Sequence, residues 1–199
     1  MIASHTINSA ASTIPIRIGA VSADETIGLI PELMEVLRNS VSEGGSLGFL
    51  PPVSQTTARN YWLSVLPDIR SGSRILLVAV APDRIIGSAQ LALPFFPTAL
   101  HRATVEKVFV DPASRGQGVG TLLMEEIHDL ARLHGRSLLL LGSRKGGCGE
   151  GFYRRLGYRE AGVVPGFTWG GNGSVYDQIT FYLDLGVGGG TRALVRRQA

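Results

Sequence analysis

The chain has 199 residues, of which 44% are hydrophobic and 18% are charged, and its formal net charge is +3. This balance is typical of one globular domain with a hydrophobic core and argues against a disordered chain. The sequence has no run of about 18 uninterrupted apolar residues. It also has no concentrated stripe of lysine and arginine. It therefore predicts neither a membrane-spanning helix nor a nucleic-acid-binding surface.

The N-terminal quarter of the chain predicts a strand and a helix. Residues 1–13 are small and mostly polar, which favours a flexible arm. Apolar and polar residues alternate over 14–18, as in a strand. Ser22 and Glu25 have the spacing of a capping box and precede an apolar series of helical period. Pro31 lies inside this series, so we expect a kink or a break there, because proline removes a backbone donor.

The remaining elements are marked by apolar segments that glycines and prolines separate. A second helix is predicted at 56–66, where Pro67 would stop it. Short apolar runs then alternate with amphipathic helical patterns. The further predicted strands are 74–81, 85–93, 103–110, 137–141, 158–163 and 178–185, and the further predicted helices are 118–134 and 150–156.

This order of elements predicts an α/β fold with a mixed sheet. Hairpin-linked strands lead into a strand–helix–strand crossover, which requires parallel and antiparallel pairs and helices on both faces. We expect one domain at 14–185, between the flexible arm at 1–13 and a flexible basic tail at 186–199. The apolar final strand, 178–185, could pair with a second subunit and so form a homodimer.

The most informative segment is 109–120, with the sequence FVDPASRGQGVG. A buried strand ends here, an Asp-Pro pair turns the chain, and Gly116, Gly118 and Gly120 precede a long helix. Glycines let a ligand approach backbone amides, and the first amides of a helix are unpaired. Together they form a seat for a phosphate or pyrophosphate. The alternative interpretation is a glycine-rich turn that only connects strand to helix.

Two well-known phosphate loops do not fit this segment. A Walker loop requires a lysine after the glycines, and Gly120-Thr121 lacks it. A dinucleotide fingerprint counted from Gly116 requires a third glycine where Thr121 stands, and it usually opens a fold. Nucleoside triphosphates and dinucleotides are therefore disfavoured as ligands.

Two motifs resemble those of the GNAT acetyltransferases. Arg115-x-x-Gly118-x-Gly120, after a strand ending in VFVDP, resembles the family's acetyl-CoA signature, and FYRRLGY at 152–158 resembles its second signature. The resemblance covers about 14–185 and implies a mostly antiparallel sheet of about six to seven strands, with acetyl-CoA as cosubstrate. The cofactor-binding residues that it implies are Phe109, Val110, Arg115, Gly116, Gln117, Gly118, Val119, Gly120 and Thr121.

Within that family the chain is most similar to the tabtoxin-resistance acetyltransferases. The similar segments are GGSLGF at 44–49, GSAQL at 87–91 and VPGF at 164–167. This resemblance implies an N-acetyltransferase for the primary amine of a small toxin-like, antibiotic-like or amino acid-like molecule. A protein N-terminus or lysine is the second choice of acceptor. The chain departs from the family at Gly146, where many members have an asparagine that contacts the cofactor.

Glu106 and Tyr153 are the candidate catalytic residues. A free amine is mostly protonated at neutral pH, so acetyl transfer benefits from a base. Glu106 lies in a predicted central strand, where a carboxylate is costly unless it is paired or used. A salt bridge to an arginine on the neighbouring strand is an equally weighted alternative. Tyr153 falls in the second signature, where the family commonly has a tyrosine that protonates the leaving thiolate. The alternative is an ordinary buried aromatic residue.

Two glycine-rich loops with interleaved aromatic residues, 44–50 and 165–174, are candidates for the acceptor pocket. By resemblance they would flank the acceptor amine, which makes Phe49, Phe167 and Trp169 candidate substrate-binding residues. The alternative interpretation is that both loops are mobile surface connections.

The other reactive residues predict no further chemistry. Cys148 is the single cysteine and cannot form an internal disulfide, which fits a cytoplasmic protein. The four histidines have no metal-ligand spacing, so we expect no metal site. Two other functions stay open beside the enzyme. One is a CoA-binding sensor or pseudoenzyme without turnover, and the other is a nucleic-acid-binding module that uses the arginine-rich tail.

Overall fold

A computed structural model describes residues 3–9, 12–45 and 47–186. The helices of this part are α1 (Ala23–Ser42), α2 (Gln55–Ser71), α3 (Val119–Leu133) and α4 (Cys148–Arg155). Its strands are β1 (Ala3–Ser9), β2 (Ser12–Val21), β3 (Arg74–Val80), β4 (Ile85–Ala92), β5 (Arg102–Val110), β6 (Leu138–Arg144), β7 (Arg159–Trp169) and β8 (Val175–Asp184).

The strands form one sheet in the order β1-β2-β3-β4-β5-β6-β8-β7. Neighbouring strands are antiparallel except β5 and β6, which are parallel because α3 connects them as a crossover. The predicted mixed, mostly antiparallel fold with helices on both faces is confirmed.

The sheet has one strand more than the sequence suggested. Ala3–Ser9 pairs along β2, where we expected a flexible arm over 1–13. Its sequence, ASHTINS, has hardly any apolar alternation, so no hydrophobic pattern indicated a strand. Of the predicted basic tail, 186–199, all but the first residue lies outside the described part of the chain.

The sheet is covered on both faces, and β3 shows how. Leu76 and Val78 pack into a cluster with residues of α1 and α2. Leu77 and Ala79 belong to a second cluster with residues of α3. Since alternate residues of a strand point to opposite faces, both faces of β3 are buried. This explains why the central strands are continuous apolar runs.

Neither Pro31 nor Pro67 ends a helix, because α1 and α2 continue past them. The expected stop at Pro67 is therefore wrong, and of the kink or break expected at Pro31 the break is wrong. Both prolines are exposed, and so are Ile27 and Leu63, whose carbonyl groups lose their helical donors. Those carbonyls can bond to water instead. The opposite face of each helix is held in the core by residues such as Trp62, and this packing offsets the missing bond.

The C-terminal strand β8 lies inside the sheet. It pairs with β6 on one side and with β7 on the other. Both of its edges are occupied, so the expectation that the final strand pairs with a second subunit is wrong. On this side of the described sheet the edge strand is β7. Every residue of β6 pairs with β8, so β6 stays in the sheet where it no longer pairs with β5.

Candidate active site

β5 and β6 lie side by side only at their first residues. Residues 102–104 pair with 138–140, and the described parts of the two strands show no pairing after Thr104. Beyond it the strands diverge, and a cavity of about 830 Å³ opens between them. Its walls include residues 104–110 of β5 and 142–144 of β6. Backbone groups on one side of β5 are therefore available to a ligand.

A β-bulge shapes the wall that β5 contributes to the cavity. Gln90 pairs with Glu106 and Ser88 pairs with Phe109, so that two residues of β5 lie opposite one residue of β4. One of the two is Lys107, which has a left-handed backbone with a φ of 48°. A bulge bends its strand and changes the direction of the side chains. Here it leaves two neighbouring charged residues, Glu106 and Lys107, on the cavity wall.

The glycine-rich loop closes one end of the cavity. Gly116 and Gly118 have left-handed φ angles of 76° and 82°, which favour glycine. Gly118 is the N-cap of α3 and makes no side-chain bond, so the first backbone N–H groups of the helix remain available. Gln117 points away, since its amide donates to the Ala113 carbonyl at 3.2 Å. The other predicted cofactor-binding residues all line the cavity: Phe109, Val110, Arg115, Gly116, Gly118, Val119, Gly120 and Thr121.

Gly120 lets α3 and α4 approach each other beside this loop. A Cβ at position 120 would lie 3.3 Å from Cζ of Phe152, which also lines the cavity. A larger side chain would push the two helices apart. The glycine-rich motif and the motif at 152–158 are therefore in contact, at Gly120 and Phe152.

Three arginines give the cavity a positive lining: Arg115, Arg144 and Arg155. Arg115 donates to the Val110 carbonyl at 3.3 Å, and Arg144 donates to the Gly44 carbonyl at 3.4 Å. Among the described side chains none of the three forms a salt bridge, in contrast to Arg154 of α4. Guanidinium groups without a carboxylate are well suited to bind phosphate.

Glu106 lines the cavity and belongs to a network of polar side chains that lies behind the cavity wall. Arg74 donates from Nη1 to Glu106 Oε2 at 2.7 Å and to Gln90 Oε1 at 2.7 Å. The amide of Gln90 donates to the Tyr61 hydroxyl at 2.8 Å. Burial disfavours the charge of Arg74, but the bond to Glu106 raises the pKa of Arg74 above its ordinary value. The salt bridge that the sequence left open is present, although its arginine lies two strands away. The Glu106 side chain is still 38% exposed.

Tyr153 of α4 lines the cavity and is 9% exposed. Its ring packs against Phe152, Tyr158 and Phe181, with centroids 5.2, 5.8 and 6.1 Å away. Burial, followed by the neighbouring Cys148, raises the pKa of Tyr153. The phenol therefore keeps its proton at neutral pH, as a proton donor must.

The three predicted substrate-binding aromatic residues do not come together. Phe167 lines the cavity, whereas Trp169, further along β7, is exposed and lies outside the lining. Phe49 packs edge-on against Tyr61, with centroids 5.3 Å apart, and does not line the cavity. Residues 47–48 of the same loop do. Part of the loop therefore lines the cavity, whereas its aromatic residue packs against the core.

Sequence reasoning did not name Arg74, Lys107 or Arg155 as site residues. Arg155 lies within the second motif, beside Tyr153, and could have been found there. Lys107 carried a weaker signal, as a lysine within an apolar strand. Arg74 carried none, because it reaches Glu106 across β4 and only the sheet order shows this.

The comparison with protein families agrees with this geometry. Residues 71–160 match the model described as an acetyltransferase (GNAT) domain. This range includes the bulge, the glycine-rich loop and α4, which form most of the cavity wall. Over these residues, which make up a little under half of the chain, the protein is similar to a GNAT acetyltransferase domain. This match agrees with the predicted acetyl-CoA-dependent N-acetyltransferase class and with acetyl-CoA as the expected cosubstrate.

Similar proteins extend this result. A protein of Methanocaldococcus jannaschii named as an uncharacterized N-acetyltransferase is 40% identical over 67 residues, which is 33% of this chain and 29% of that protein. The chain thus spans less than a third of that relative. L-methionine sulfoximine/L-methionine sulfone acetyltransferases of Pseudomonas paraeruginosa and Pseudomonas aeruginosa are 26% identical over 144 residues, covering 71% of this chain and 81% of each relative.

A solved structure shows the same fold. A Salmonella typhimurium protein, solved with its cofactor acetyl-CoA, has a TM-score of 0.66 and 16% identity, covering 86% of this chain and 94% of that one. At this identity the likeness concerns the fold alone.

Two features are absent from the described residues. None of the helices there is long and apolar enough to cross a membrane. No group of three or more histidine, cysteine, aspartate or glutamate side chains there is arranged to hold a metal ion.

Proposed function

We propose that the protein transfers the acetyl group of acetyl-CoA to the primary amine of a small, amino acid-like molecule, with Glu106 as general base and Tyr153 as general acid. The observation that carries the proposal is the cavity between the diverging strands β5 and β6. A carboxylate and a protonated phenol line this cavity, and the glycine-rich loop closes one end.

The cavity suits acetyl-CoA at the end formed by the loop. The free N–H groups of the α3 N-terminus attract phosphate, and Gly118 keeps side chains away from them. Arg115 and Arg155 add positive charge there. The unpaired side of β5 offers backbone groups to the pantetheine arm. Acetyl-CoA supplies the activated thioester.

The protein residues move the protons of the reaction. Glu106, held by Arg74 through one carboxylate oxygen, accepts a proton from the amine, directly or through water. Tyr153 gives its proton to the departing sulfur. One N–H bond and the thioester C–S bond break, while an amide C–N bond and an S–H bond form. Glu106 then returns its proton to solvent, and Tyr153 regains one.

The size of the cavity favours a small acceptor. A volume of about 830 Å³ is typical of a small-molecule site. It has to accommodate the acetyl-bearing end of the cofactor together with the acceptor. The Pseudomonas relatives are named for two amino acid-like acceptors, L-methionine sulfoximine and L-methionine sulfone. Both observations support an acceptor of that size.

The first experiment is calorimetric binding of acetyl-CoA, with CoA, NAD and ATP measured in parallel. The proposal expects micromolar binding of both CoA species and none of NAD or ATP. A folded protein that binds neither CoA species would contradict the interpretation of the loop.

The second experiment follows release of the CoA thiol with L-methionine sulfone, L-methionine sulfoximine and a peptide with a free N-terminus as acceptors. Turnover of the amino acids alone supports the proposal. Turnover of the peptide alone would favour a protein acetyltransferase. Tight acetyl-CoA binding without any turnover would favour a CoA-binding sensor.

A further inference from the structure

Lys107 stands out on the cavity wall because its backbone is strained. Its φ of 48° lies in the left-handed region that glycine and asparagine enter most easily. A lysine is less stable there than in an ordinary backbone conformation. Such strain persists only where surrounding contacts enforce it, and it is common at functional sites.

The contacts of its ammonium group define a small enclosure. Nζ donates to the Leu47 carbonyl at 2.6 Å. It lies 5.4 Å from the ring centroid of Phe49 and 5.4 Å from that of Tyr61, so two aromatic faces stabilise its charge. Leu47 and Gly48 also line the cavity, which places this enclosure at its margin. An ammonium group has three donors, and Leu47 uses one of them.

Within the described part of the protein, no carboxylate forms a salt bridge with this ammonium group. Glu106, its neighbour in the bulge, is held by Arg74, which also bonds to Asp68 at 3.3 Å. Lys145, the chain's other lysine, differs in having Asp177 at 3.9 Å. A half-buried charge without a partner is expensive, and charged groups of this kind usually have one. A negatively charged ligand in the cavity would supply this partner.

We propose that Lys107 binds the carboxylate of the acceptor, so that the enzyme selects amines with a carboxylate on the adjacent carbon. This inference rests on the proposed function and deepens it. Glu106 and Lys107 are consecutive residues of opposite charge on one wall. An α-amino acid carries an amine and a carboxylate on one carbon, so that Glu106 can face the amine while Lys107 faces the carboxylate. The CoA phosphates are not the partner, because their seat is the loop at the start of α3.

The test compares L-methionine sulfone with its carboxamide, which keeps the amine and loses the negative charge. We expect the wild-type protein to prefer the acid, and Lys107→Met to lower kcat/KM for the acid about 10- to 100-fold while changing that for the amide less than about threefold. Lys107→Arg retains the charge and is expected to retain much of the preference. Lys145→Met, which removes a lysine outside the cavity lining, serves as the matched control.

Two results would overturn the inference. The first is an equal loss for acid and amide in Lys107→Met, which would assign Lys107 to holding the 47–48 loop. The second is a wild-type protein without preference for the acid.

If neither acceptor turns over, calorimetric binding of N-acetyl-L-methionine sulfone and its amide in the presence of CoA tests the same preference. Weaker binding of the acid to Lys107→Met than to wild type would then support the role of Lys107 even though the proposed reaction had failed. Equal binding of acid and amide would contradict it.

Discussion

The two ends of the cavity are built from different parts of the chain. At the end that we assign to the cofactor, the wall is mostly backbone: glycines in left-handed conformations and the unpaired N–H groups at the start of α3. At the end that we assign to the acceptor, the wall includes the charged side chains of Glu106 and Lys107 on β5. Behind this wall Arg74 on β3 bonds to Glu106 and to Gln90 on β4. The first arrangement is encoded within twelve consecutive residues, whereas the second exists only once the sheet has formed.

The two kinds of wall suit two tasks, which are binding a phosphate-bearing cofactor and selecting the acceptor. Backbone amides and helix termini bind any phosphate of suitable shape, so the cofactor end can serve many acceptors. Side chains fixed across strands can change one at a time without disturbing the loop. We therefore expect substitutions at the two ends to affect different measurements, in the following order of decreasing size.

The largest effect is expected for Tyr153→Phe. Loss of the proton donor should lower kcat about 100-fold or more, while the Kd for acetyl-CoA stays within about threefold of wild type. Tyr158→Phe is the matched control, since Tyr158 is also buried but bonds to His128 at 3.2 Å, outside the lining. Steady-state kinetics and calorimetry measure both quantities. An unchanged kcat in Tyr153→Phe would refute the acid role.

Gly118→Val should weaken acetyl-CoA binding by about 30-fold or more, because the new side chain opposes a φ of 82° and covers the amides at the start of α3. Gly72→Val imposes the same kind of strain at a φ of 74°, at the end of α2 and outside the cavity lining. Both variants are expected to lose similar stability in urea unfolding. Equal acetyl-CoA affinity in the two variants would show that the loop does not bind the cofactor.

The contrast between the two ends also explains what the sequence could predict. The capping box at Ser22 and Glu25, the crossover around α3 and the glycine-rich loop each depend on residues close together in the chain, and the structure contains all three. The continuation of α2 past Pro67 escaped prediction because core packing outweighs a local preference.

Contacts across strands or between loop and helix could not be predicted either. The bond between Arg74 and Glu106 depends on strand order and on the bulge, and neither leaves a pattern in one sequence. Phe49 was assigned to the acceptor pocket because its loop lies there, but the structure turns its ring into the core against Tyr61.

Arg74→Met tests whether the acceptor end also contributes to stability. Glu106 would lose its guanidinium partner in a half-buried setting, which should lower the free energy of unfolding by about 1–2 kcal/mol. It should also reduce kcat/KM, since the carboxylate loses its fixed orientation. Arg70→Met removes the exposed pair with Asp24, whose side chains are 63% and 88% exposed, and should cost less than about 0.5 kcal/mol. Urea unfolding of both variants measures the difference, and equal losses would argue against an organised network.

The smallest effect is expected in the pH dependence of acceptor binding. Burial lowers the pKa of Lys107, and the charge of Glu106 opposes this only in part. Arg74 and Tyr61 face the same group. Because the ammonium is lost as pH rises through that lowered pKa, KM for an acid acceptor should increase at a lower pH than an exposed lysine would give. KM for the amide should not follow this increase. A KM profile between about pH 6 and 10 measures it, and Lys107→Arg should flatten it.

The left-handed backbone at Lys107 affects which substitutions are expected at this position under selection. Glycine or asparagine would adopt that conformation at lower cost, so the position offers stability that the protein does not use. Variants selected only for resistance to heat or proteolysis should drift towards glycine or asparagine at 107. Variants selected for growth on an acid acceptor should keep a cation there. Sequencing the two populations would show at a single position where the demands of folding and of substrate choice conflict.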